Sequence, residues 1–135
     1  MKVEELMIGD LVYYSYPNQF VTRIIDVCSH GEEHFIRCQR DPKDKLYVPG
    51  KFEDFHVDIL SPIPLTDEFL RKNGFEYYHS NCAALSSEDN FDINQVQWPD
   101  EDGIAVWEYG IIQIRFVHEF QHLLKLCGIE KEIVL

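Results

Sequence analysis

The stretch Ile114-Arg-Phe-Val-His-Glu-Phe-Gln-His-Leu-Leu-Lys-Leu-Cys-Gly128 does most to limit what this chain can become. At about 100° per residue, Phe116, Val117, Phe120, Leu123, Leu124 and Cys127 fall on one apolar stripe. The spacing predicts a helix over 114–127. Gly128 stands where a left-handed residue closes a helix, and Ile129 follows as the apolar residue that can touch Leu124. Such a stripe must be buried, and the remaining chain offers a sheet to bury it on.

The same helix carries the string His118-Glu119-Phe120-Gln121-His122. Read as H-E-x-x-H, it sets two zinc ligands, His118 and His122, one turn apart, with Glu119 as a general base. A catalytic site also needs a third protein ligand in a shaped cavity with supporting hydrogen bonds. The extended motif asks for Gly and His downstream, where this chain has Lys125 and Gly128. Past His122 only Glu130 and Glu132 remain, and upstream no spacing recommends His30, His34, His56, His79 or Cys82. The helical period turns both imidazoles away from the stripe, toward Arg115 and Lys125. The expectation is two solvated histidines, with no metal and no cofactor.

Charge narrows the classes of partner. Twenty-four acidic residues stand against 12 basic ones, a formal net charge of −12. The acids are grouped, as in Glu4-Glu5, Glu32-Glu33, Glu53-Asp54, Glu88-Asp89 and Asp100-Glu101-Asp102. Such a surface repels phosphate backbones and disfavours direct nucleic-acid binding. The basic residues Arg37, Arg40, Lys43 and Lys45 are interrupted by Asp41 and Asp44, so they form no patch. Cys28, Cys38, Cys82 and Cys127 show no C-x-x-C pair and no framework spacing. Cys28-x-His30 and His34-x-x-x-Cys38 straddle a turn, and buried thiols on strands explain them more simply than a metal cluster. With no apolar leader and no membrane-length run, a cytoplasmic home is expected.

Along the chain, Leu11–Tyr14, Phe20–Cys28, His34–Arg40, Leu46–Val48 and Phe55–Leu60 read as short strands between turns. Five strands in about sixty residues suggest a small SH3-like β-barrel over residues 1–61. Pro62-Ile-Pro64 then enforces extended backbone. Thr66 is a good N-cap, Asp67 and Glu68 suit the first turn, and Gly74 closes a short helix over 66–73. Asp92–Trp98 and Ile104–Tyr109 read as a hairpin within 92–109, and Glu130–Leu135 as an edge strand. The fold class is therefore α+β, with residues 62–135 forming a second subdomain around the long helix.

The segments Leu60-Ser-Pro-Ile-Pro-Leu-Thr through Asn73-Gly-Phe75 and Phe116-Val-His-Glu-Phe-Gln-His-Leu-Leu124, with Ile8-Gly-Asp-Leu-Val-Tyr-Tyr14, carry a likeness. They resemble a family of small uncharacterised proteins from gut anaerobic bacteria and their phages and mobile elements. The resemblance spans most of the chain. It implies a cytoplasmic domain with no established activity, and it supplies no catalytic residues. In that family the aromatic-Val-His and Leu-Gln pieces look structural, and Phe120 stands here where Leu is expected beside Gln121.

Three functions follow as expectations. The first is a non-enzymatic accessory or protein-interaction domain, with Tyr13, Tyr14 and Tyr16 lining a surface for a peptide or another protein. The second is a zinc-dependent hydrolase built on His118, His122 and Glu119. The third is an acidic nucleic-acid mimic that occupies a DNA-binding protein. The first is the reading favoured here.

Overall fold

The turn at Gly9-Asp10 launches the first sheet, in a computed structural model that describes residues 1–15, 19–30, 33–79, 82–85, 96–100, 103–106 and 112–135. Gly9 takes a φ of 95°, where a Cβ would be strained. The Asp10 carboxylate, wholly buried, accepts the Met7 amide at 2.7 Å. The Ile24 carbonyl accepts from the Gly9 amide at 2.8 Å, and the Ile24 amide donates to the Asp10 carbonyl at 2.9 Å. These bonds set β1 (Leu11–Tyr14) in register against β2 (Phe20–His30).

β3 (Glu33–Arg40), β4 (Glu53–His56) and β5 (Leu60–Pro62) complete an antiparallel sheet of order β4-β3-β2-β1-β5. Alternation sends Val12, Ile24, Ile36, Cys38 and Leu60 into one core. A bulge between Ile24 and Asp26 shifts the phase of β2, so that Val27 rather than Asp26 follows Ile24 inward. The expected closed barrel is not formed: the sheet is open, with β4 and β5 as its edges. β5 has only three residues, and Pro62 has no N–H to extend pairing.

Two further expectations in this region are corrected. Residues 46–48 form no strand, because Asp41 and Asp44 turn the chain locally. Their carboxylates accept from the Lys43 and Leu46 amides at 2.7 and 2.8 Å, and side-chain bonds of this kind compete with ladder pairing. The single strand expected over 55–60 is broken by a 3₁₀ turn, Val57–Ile59, capped by His56 Nδ1, which accepts the Asp58 amide at 3.4 Å.

The chain divides into two compact units, Met1–Ile63 and Pro64–Leu135. The second holds α1 (Asp67–Lys72), β6 (Phe75–His79), β7 (Cys82–Leu85), β8 (Val96–Asp100), β9 (Gly103–Val106), β10 (Ile112–Ile114) and α2 (Val117–Leu126). Its strands form an antiparallel meander, β10-β9-β8-β7-β6. The expected hairpin is the β8–β9 pair, while residues 92–95 and 107–109 lie outside the described residues. β6, β7 and β10 widen the hairpin into a full sheet. Among the described residues no helix is long and apolar enough to cross a membrane.

Both helices close as their sequences predict, but α2 begins at Val117 and not at Ile114, because Ile112–Ile114 is drawn into the sheet as β10 beside β9. Thr66 Oγ1 accepts the Phe69 amide at 3.2 Å, and Gly74 follows α1 at φ 85°. After α2, the Gly128 amide donates to the Lys125 carbonyl at 3.0 Å and the Ile129 amide to the Leu124 carbonyl at 2.9 Å. That pair of bonds, with Gly128 at φ 71°, is the Schellman closure. Phe120 is buried at the centre of this unit, its ring 5.9 Å from that of Phe69 on α1 and 5.7 Å from that of Phe75 on β6. The tail forms no strand. Instead the buried Asn73 side chain clasps its backbone, donating to the Val134 carbonyl at 2.7 Å and accepting the Val134 amide at 2.9 Å.

Candidate functional site

The H-E-x-x-H string sits at the start of α2, and its geometry departs from the sequence expectation. His118 is only 3% exposed, although the helical period turned it away from the stripe, and Gln121 is buried too. The buried residues Val117, His118, Phe120, Gln121, Leu123 and Leu124 cover an arc of about 220°, twice the width of a simple stripe. Part of the reason is the tail. Ile129 to Ile133 return beside Gln121, Leu124 and Lys125 and line with them an open pocket of about 280 Å³. The His118 ring lies parallel to that of Phe116 at 5.8 Å, and the half-buried His122 meets it edge-on at 5.9 Å.

Glu119 has a structural task. One of its carboxylate oxygens accepts the Arg115 amide at 2.7 Å and the Phe116 amide at 3.2 Å. A glutamate at the third helical position that reaches back to the residues before the helix satisfies amides which the first turn cannot. A general base for a metal-bound water must aim the other way, toward the imidazoles. Among the described residues no group of three His, Cys, Asp or Glu side chains gathers closely enough to hold a metal ion. The two thiols considered as part of a cluster stand on opposite faces of the first sheet: Cys38 lies in the core, while Cys28 pairs with Phe35 on the outer face. Burial pushes the Cys38 thiol up to about 12, and partial burial followed by a bond to the Asp26 carboxylate raises that of Cys28. Neither is an activated nucleophile.

The tyrosines expected to share a surface are separated by the pleat. Tyr13 and Tyr14 are consecutive on β1 and face opposite sides; Tyr16 lies outside the described residues. Tyr14 packs against the core, its ring 4.3 Å from that of Phe55 and 4.6 Å from that of Phe20. The Arg40 guanidinium covers Phe20 at 3.8 Å and reaches Asp44 at 3.6 Å. Comparison with protein families, with curated proteins and with solved structures found no match.

What the first unit does present is the loop between β3 and β4. Leu46, Val48 and Phe52 on that loop are 71%, 51% and 48% exposed. The loop is built rather than loose in its bonding. The two Asp-centred turns fix its first half, the Tyr47 amide donates to the Asp44 carbonyl at 3.0 Å, and Gly50 turns at φ 73°. Sequence reasoning placed Leu46 and Val48 in a strand and so missed them as surface. The signal that finds them is Asp41-x-x-Asp44 followed by Pro49-Gly50, a run of turn formers around apolar residues. The acids, for their part, are widely engaged: Asp54 with Arg37 at 2.8 Å, Glu53 with Lys51 at 3.7 Å and Glu68 with Lys72 at 3.0 Å.

Proposed function

We propose that this protein is a non-enzymatic accessory module that binds another protein through its first unit, an SH3-like sheet. Support for the likeness is the strand order β4-β3-β2-β1-β5, the bulged β2 and the 3₁₀ turn between the last two strands. The observation that carries the binding reading is the set of three large apolar side chains, Leu46, Val48 and Phe52, held in water by one hydrogen-bonded loop. Keeping such groups exposed costs solubility and gains the fold nothing, whereas covering them on a partner releases roughly 1.5–3 kcal/mol for each one fully buried. An accessory role also accords with the resemblance to small proteins of gut anaerobes and their mobile elements.

The test is crosslinking in the expressing cell from a photoreactive residue at position 48, followed by purification of the captured protein. Its affinity is then measured by calorimetry. The reading expects a one-to-one complex that Leu46→Ser with Phe52→Ser weakens at least about tenfold while the melting temperature holds. A purified partner that binds the double variant equally well, or a folded chain that crosslinks to no protein, removes the proposal.

A further inference from the structure

We infer that the occupant of the β3–β4 loop is an acidic segment of a partner protein, one whose large apolar side chains stand among carboxylates. The inference rests on the interaction reading above. In sequence the lysines of this loop are interrupted by acids, yet the fold separates the two signs. The Asp41 carboxylate is half-buried and accepts the Lys43 amide at 2.7 Å. That of Asp44, also half-buried, accepts the Leu46 amide at 2.8 Å and meets the Arg40 guanidinium at 3.6 Å. Both acids are thus engaged in holding the loop's own turns. Lys43 and Lys45 stay exposed, and among the described residues neither ammonium meets a carboxylate. Lys51 already faces Glu53 at 3.7 Å and Arg40 lies over Phe20, so the available charge is that of Lys43 and Lys45.

Those two lysines share one fixed loop with the exposed Leu46, Val48 and Phe52. Three turns hold it: the Asp44 amide donates to the Asp41 carbonyl at 2.9 Å, the Tyr47 amide to the Asp44 carbonyl at 3.0 Å and the Lys51 amide to the Val48 carbonyl at 3.1 Å. The Tyr47 hydroxyl reaches back to Gln39 on β3, at 3.5 Å. Pro49-Gly50, with Gly50 at φ 73°, has the residues and the left-handed step of a type II turn. A loop already ordered loses little freedom on binding. Covering the apolar groups supplies affinity, while the lysines repel basic segments and select acidic ones. An anionic membrane offers related chemistry, but its plane would meet a chain with 24 acids against 12 bases. A segment confined to the loop is screened from distant acids, since charges more than about 8 Å apart interact weakly at physiological salt.

The probe is a short capped peptide that alternates Glu with Leu and Phe, titrated into the full ¹⁵N-labelled chain. A peptide with Lys for Glu, a peptide with Ser for Leu and Phe, and phosphatidylserine vesicles serve as comparisons. Expected are shifts confined to residues 41–52, and binding that weakens with added salt and in either comparison peptide. Lys43→Glu with Lys45→Glu should weaken it about tenfold at unchanged melting temperature, the scale of two exposed ion pairs turned into repulsions, while Lys43→Arg with Lys45→Arg keeps it. No binding of the Glu peptide, equal binding of the Lys peptide, or indifference to the charge reversal overturns the inference. Vesicles bound through the loop in place of the peptide overturn it too, in favour of a lipid surface. After any such failure, a partner crosslinked at position 48 and released by Leu46→Ser with Phe52→Ser still upholds the interaction reading, and its absence removes both.

Discussion

Asn73 offers the sharpest test of how the second unit is held together. Its buried amide makes three bonds: to the Phe69 carbonyl at 2.8 Å, to the Val134 carbonyl at 2.7 Å and from the Val134 amide at 2.9 Å. Asn73→Ala deletes all three. At about 1 kcal/mol net for each, the loss is about 3 kcal/mol, trimmed to about 2 where water reaches half-buried Val134. That is a large share of the 5–15 kcal/mol typical of a domain. Urea unfolding followed by circular dichroism measures it. Repeating the substitution in a chain lacking residues 133–135 leaves only the bond to Phe69 to lose, so the cost should fall to about 1 kcal/mol. Asn73→Asp keeps the shape but turns a carboxylate oxygen toward two carbonyls, so it should cost more than alanine at neutral pH. The excess should shrink as pH falls toward about 4, because burial against two carbonyls raises the carboxyl's pKa and it protonates in the fold before it does in the unfolded chain. Equal costs for Asn73→Ala in the whole and shortened chains would refute the clasp.

Three other outcomes follow. Gly128→Ala should lower stability by about 1 kcal/mol and no more, because the left-handed φ of 71° is strained for alanine while its Cβ would meet nothing within 4 Å; denaturant midpoints read this directly. Glu119→Ala should cost about 1 kcal/mol and Glu119→Gln much less, since the amide oxygen still accepts from Arg115 and Phe116; thermal unfolding of the pair separates a cap from a base. The Cys38 thiol stays protonated in the fold to about pH 12 and ionises near 8.5 when unfolded, so the unfolded chain binds fewer protons above that pH. Stability should therefore fall as pH rises from about 9 toward 12, by at most about 1.4 kcal/mol per unit, and Cys38→Ala should remove that slope in urea melts.

What was legible in the sequence was the part written in local chemistry. Thr66 and Gly74 bound α1, Gly128 and Ile129 end α2, and β1, β2 and β3 follow their alternating residues closely. The rest depends on partners distant in sequence. Leu46-Tyr-Val48 has strand composition, but the carboxylates of Asp41 and Asp44 bind the backbone first. Cys82–Leu85 has no strand pattern of its own to assign it, and it pairs with β6 on one side and β8 on the other. The edge strand expected at the tail is replaced by a single side chain from sixty-one residues earlier, and no local pattern announces such a clasp. The apolar loop went unseen because a strand was drawn through it.

The string in α2 carries a lesson about motif and physics. Helical periodicity identified the stripe correctly but assumed that one face alone is buried. Leu123 to His118 in fact span the broad arc, which a narrow moment of hydrophobicity cannot report because polar Gln121 and His118 lie within it. Burying such groups is costly unless each is met by a partner, so their presence inside marks a position set by packing geometry. Glu119 then has a reason to be where it is without any metal. The chain leaves β10 at Ile114, and Arg115 and Phe116 must enter a helix with amides that the first turn cannot satisfy. The Leu65 amide already takes the Arg115 carbonyl at 2.9 Å, fixing this junction from the other side. A carboxylate three residues past Phe116 answers both amides at once. The glutamate of the H-E-x-x-H spacing thus serves as a cap on a helix that is buried over most of its girth.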